Sequence, residues 1–134
     1  MRRDLAPLLE DPSVQAMLTR RRLAEETLWQ YLKGVRSLSM FAGAKPYEVV
    51  ERLKASPPEK ATELLCEWVV AMKDRLASKT LANWLNGIRI WLKENKVRTV
   101  DWGEVKAAFK SYVGKVRTIV NRDYITREEI IKLM

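Results

Sequence analysis

Ser78–Asn95 reads SKTLANWLNGIRIWLKEN. Wound as a helix, it sets Leu81, Trp84, Leu85, Ile88, Trp91 and Leu92 along one side, at steps of three and four residues. Such a stripe is a buried one, so the spacing assigns both tryptophans to a core. The other side collects Lys79, Asn83, Asn86 and Arg89, with Thr80 at the entry and Ser78 as the expected N-cap. Amides and Arg read base edges, whereas Thr and Lys meet phosphates. The N–H groups of the first helical turn attract phosphate as well. Gly87 has two readings: a site of close backbone approach, or a tolerated helix glycine.

Outward from that stretch, the same periodicity recurs. Leu23–Ala42 places Leu28, Tyr31, Leu32, Val35, Leu38 and Ala42 on one side, and Gly43 follows as a C-cap. Pro46 suits a first helical turn, with Val49, Val50 and Leu53 as the stripe behind it. Ser56-Pro57-Pro58 breaks the chain. Pro58 then opens a helix expected to run to Ala77, with Ala61, Leu64, Leu65, Trp68, Val69, Met72 and Leu76 inward. Asp11-Pro12-Ser13 starts a short helix to about Arg22. Asp101 caps a further one, with Trp102, Val105, Phe109 and Tyr112 inward. Thr126 and Glu129 form a capping-box pattern near the end of the chain. With five Gly and five Pro in 134 residues, the expectation is all-α: a compact bundle of four to five main helices. The expected organisation is a flexible arm over 1–12, the helical domain over 13–114, a basic connector over 115–125 and the start of another helix over 126–134.

Composition narrows the chemistry. The chain has no histidine and one cysteine, Cys66, which removes Ser-His and Cys-His pairs and the usual nitrogen–sulfur metal sites. No glycine-rich phosphate loop occurs. Glu25–Glu26 and Glu128–Glu129 are adjacent pairs that diverge on a helix, so they read as solvated charges. The expectation is therefore a chain that is not itself an enzyme, with no cofactor, no metal and no small-molecule substrate. No apolar run approaches the ~20 residues of a membrane span, and no signal peptide is recognisable. A cytoplasmic, nucleoid-associated location is expected.

The formal charge is +8, and it is unevenly placed. Up to Leu76 there are 13 basic and 11 acidic residues; from Ala77 to Arg122 there are 10 basic and 3 acidic. A stretch of one sign repels itself unless an anion relieves it, which favours DNA or RNA as partner. Two other readings stay open: a stand-alone helical DNA- or RNA-binding regulator, and a helical protein–protein adaptor whose charge is incidental.

Three segments carry a resemblance. LAEETLWQYLKGV (Leu23–Val35), with Thr27 four residues before Tyr31, resembles the first main helix of the core-binding domain of tyrosine recombinases, the family of phage integrases and Xer-type recombinases. SKTLANWLNGIRIWL (Ser78–Leu92), with Ser78, Thr80, Ile88-Arg89 and Trp91, resembles that domain's later helix. DYITREEIIKLM resembles the entry to the catalytic domain. The likeness implies a SAM-like helical domain that clamps a recombination half-site from the side opposite the catalytic domain. It implies double-stranded DNA and other protomers as partners. The residues it assigns to DNA are Thr27, Gln30, Lys33 and Arg36 from the first helix and Lys79, Thr80, Asn83, Asn86 and Arg89 from the second. Lys115, Arg117 and Arg122 are assigned to the connector's phosphate contacts. Thr27 has a second reading as a packing residue, and Gln30 as a solvated one. The family's catalytic tyrosine, arginines, lysine and histidine belong to the following domain, and Tyr31, Tyr47, Tyr112 and Tyr124 lie outside it.

Overall fold

The computed structural model describes residues 5–110, and these form an all-helical bundle. A short 3-10 turn, Ala6–Glu10, leads into α1 (Pro12–Arg20), α2 (Glu25–Ala42), α3 (Pro46–Ala55), α4 (Pro58–Met72) and α5 (Ser78–Glu94). Residues 102–110 are helical again and are called α6. Lys115, Arg117, Arg122, Tyr112 and the Thr126–Glu129 pattern lie outside the described residues, as do the connector and the segment 126–134.

Helix boundaries follow local chemistry. Pro12, Pro46 and Pro58 each occupy the first turn, where a missing N–H costs nothing. Asp11 caps α1 by accepting from the Ser13 N–H at 2.8 Å. Gly43 ends α2 at φ 71°, in the left-handed region. Its N–H reaches Met40 O, and the Ala44 N–H reaches Ser39 O, which together make a Schellman closure. α5 closes in the same way, with Lys96 N to Lys93 O and Val97 N to Leu92 O, but with Lys96 at φ 62° where glycine is usual. A side chain in that conformation costs roughly 1 kcal/mol. Asn95 offsets it by donating its amide to Ser13 O and Trp91 O at 2.9 and 2.8 Å.

α2 and α5 are the central pair, and α1, α3 and α4 pack around them. They cross through two glycines. A Cβ on Gly34 would lie 2.6 Å from the Trp84 carbonyl oxygen, and one on Gly87 would lie 2.7 Å from Tyr31 Cα. Gly87 is thus buried against the protein's own helix and takes no part in the outer surface. The fully buried residues Leu32, Val35 and Leu38 of α2 meet Leu65, Trp68 and Val69 of α4 and Leu81, Ile88, Trp91 and Leu92 of α5 in one core.

The structure departs from the sequence reading in four places. Residues 5–10 are not a loose arm: Leu5 is 1% exposed in the core, and a 3-10 turn follows it. A lone leucine beside Ala6-Pro7 gives no periodicity from which to infer burial. α4 stops at Met72, and residues 73–76 turn toward α5. Leu76 keeps the stripe's four-residue step, so spacing could not distinguish the turn from one more helical turn. α2 begins at Glu25, after an extended 21–24 link. Ser78 is the first helical residue and no cap; Ala77 holds the N-cap position and offers no side-chain bond.

Candidate nucleic-acid interface

α5 presents two unlike halves. Leu81, Ile88, Trp91 and Leu92 are buried, and Trp91 donates its indole N–H to Ser13 Oγ at 2.9 Å. Trp84 and Leu85 are only half-buried, so the stripe is narrower than the sequence reading made it. Lys79, Asn83, Asn86 and Arg89 are all exposed, as is Lys93, and Thr80 is half-buried at the first turn. At about 100° per residue these five exposed side chains share an arc of about 120° on the side of α5 opposite the buried Leu81 and Ile88. Glu94 is the one acid in the helix, and Arg21 holds it at 2.7 Å. The outward half of α5 therefore has no unpaired carboxylate to oppose its cations. Its N-terminus lacks a side-chain cap, so Ala77 offers the N–H groups of the first turn no side-chain acceptor.

Two amides assigned to DNA by the resemblance are partly engaged within the protein. Asn86 Nδ2 donates to the Tyr31 hydroxyl at 2.9 Å, which leaves its carbonyl oxygen and second N–H toward solvent. Gln30 Oε1 accepts from Trp84 Nε1 at 3.2 Å, so its NH2 group is what remains. Both bonds tie α2 to α5 and hold the exposed face in register. Thr27 is half-buried.

Lys33 and Arg36 do not join this face. Gly34 points at α5, so Lys33 lies about 100° and Arg36 about 160° around α2 from that contact. They line a separate groove with Met40, Met72 and Arg75. The resemblance assigns Lys33 and Arg36 to DNA as outward residues of the first helix, a separate set from those on α5.

Lys106 was counted in the basic stretch from Ala77 to Arg122 but assigned no contact, and it lies beside Asn86 and Arg89. A cleft of about 340 Å³ separates α5 from α6, with Asn86 and Arg89 on one wall and Trp102, Lys106 and Phe109 on the other. Lys93 was also left out, although it follows Arg89 by one helical turn. That four-residue step was the available signal for Lys93; nothing local signals Lys106, whose place depends on how α6 docks.

Cys66 sits half-buried on α4. Burial raises its thiol pKa, and the charges of Glu104 and Asp101 raise it further. The thiol stays protonated at neutral pH, which suits packing and not nucleophilic chemistry. Among the described residues no group of three His, Cys, Asp or Glu side chains could hold a metal, and no helix is long and apolar enough to cross a membrane. Comparison of the chain with protein-family models, curated proteins and solved structures finds no match.

Proposed function

We propose that this chain is a DNA-binding domain of the core-binding type carried by tyrosine recombinases, and that it grips duplex DNA with the outward face of α5. The observation that carries the reading is the single-sign, hydrogen-bonding half of α5: Lys79, Asn83, Asn86, Arg89 and Lys93 exposed together, with Glu94 neutralised by Arg21. Lys79, Arg89 and Lys93 meet phosphates, and Asn83 and the free side of Asn86 face base edges. Lys106 extends the cationic edge across the α5–α6 cleft. The uncapped N-terminus of α5 adds N–H donors where a phosphate would sit. The recombinase likeness rests on the three quoted segments. In this reading the chain supplies no catalytic group, and its partners are double-stranded DNA and other protomers of the assembled recombinase.

The experiment is a fluorescence anisotropy titration of a short random-sequence duplex across a range of salt concentrations. Three phosphates neutralised by α5 alone give a log–log slope at least as steep as about −2.7. Binding should thus weaken steeply as salt rises. A complex indifferent to salt, or no complex at low salt, contradicts the reading.

A further inference from the structure

A second surface has a different character. Between α2 and the end of α4 runs a groove of about 540 Å³, and its walls are mostly apolar: Met40, Phe41, Met72, Leu76 and Trp84, with Leu5 at its base. Met40 is 68% and Phe41 40% exposed, which is unusual for side chains of that size in a bundle with a filled core. The floor is held in place. Ser37 Oγ accepts from Trp68 Nε1 at 3.0 Å and donates to Met72 Sδ at 3.4 Å. Every charged side chain lining the groove, among the described residues, is a cation: Lys33, Arg36 and Arg75.

An apolar trough with a one-sign cationic rim suits one kind of occupant. A nucleic acid backbone would satisfy the cations but leave Met40 and Phe41 against water. A simple apolar helix would cover the floor and bury the rim cations without partners, which is costly. An amphipathic helix with acidic flanks satisfies both, and two methionines on the wall let the trough adapt to its side chains. We propose that this groove receives an amphipathic helix of a partner protein, with its apolar anchors over Met40, Phe41 and Met72 and its carboxylates against Lys33, Arg36 and Arg75. The site is independent of the α5 face, so either can fail without the other.

The test uses two synthetic peptides with leucines at i, i+3, i+4 and i+7, one flanked by glutamates and one by lysines. Binding to the full chain is read by fluorescence anisotropy. The glutamate-flanked peptide binds at least about tenfold more tightly than its lysine counterpart, because complementary charge selects the partner. Arg36→Glu with Arg75→Glu reverses that preference. Met40→Asp abolishes binding of the glutamate peptide, while the melting curve, an exposed position being altered, stays close to wild type. Equal affinity for both peptides, no binding of either, or complete displacement by duplex DNA overturns the proposal. Displacement by the chain's own excess, read with sedimentation as self-association through the groove, overturns it too, because the groove then serves a second copy.

Discussion

Trp91→Ala lowers the unfolding free energy by about 3–5 kcal/mol, the range for removing a fully buried large aromatic. Trp91 is 0% exposed and sits where α5 meets α1. Its loss leaves a cavity in the core that rigid helices close only in part. It also strands a hydrogen-bond chain. Trp91 Nε1 donates to Ser13 Oγ, and Ser13 Oγ donates to Asp11 Oδ1 at 2.6 Å. Asp11 in turn accepts from the Tyr47 N–H at 3.2 Å, so one side chain links α5 to the starts of α1 and α3. Chemical denaturation of the variant measures the loss. A cost below about 1 kcal/mol contradicts the placement of this side chain in the core.

Gly87→Ala and Gly34→Ala each destabilise the domain by about 2 kcal/mol, even though alanine is the better helix former by roughly 1 kcal/mol. The obstacle at Gly87 is Tyr31, with Cα at 2.7 Å and Cβ at 2.8 Å from the added carbon. At Gly34 it is the Trp84 backbone, with the carbonyl oxygen at 2.6 Å and Cα at 3.0 Å. Neither neighbour can rotate aside, so the helices must part. Parting them weakens the Asn86–Tyr31 and Gln30–Trp84 bonds that set the outward face of α5. The double variant costs less than the sum, because the first separation relieves the second clash. Denaturation of the two single variants and the double provides the check. Either single variant matching or exceeding wild-type stability rules out this crossing.

Much of the bundle was legible in the residues themselves. Three- and four-residue steps gave the inward side of each helix, because a buried stripe must follow the helical repeat. Gly43, Pro46, Pro58 and Asp101 marked ends, because each suits a backbone state that helices adopt only at their limits. Asp101 Oδ1 does accept from the Gly103 N–H at 3.0 Å. What stayed hidden was pairing. Periodicity fixes how a helix is rotated about its own axis, and says nothing of which neighbour it meets. So Gly87 could be noticed but not assigned to Tyr31, and the groove that Lys33 and Arg36 share with Met72 and Arg75 could not be foreseen. The bond from Asn86 to the Tyr31 hydroxyl could not be foreseen, because the two residues are 55 apart in sequence.

The most direct measurement compares the wild-type chain with Lys79→Glu/Arg89→Glu/Lys93→Glu on the same random duplex at low salt. All three side chains are exposed, so the melting temperature should hold while the charge of the α5 face reverses. The account predicts an affinity loss on the order of 100-fold or more and a salt slope flatter by about 2.7. A folded triple variant that binds the duplex as tightly as wild type would contradict it.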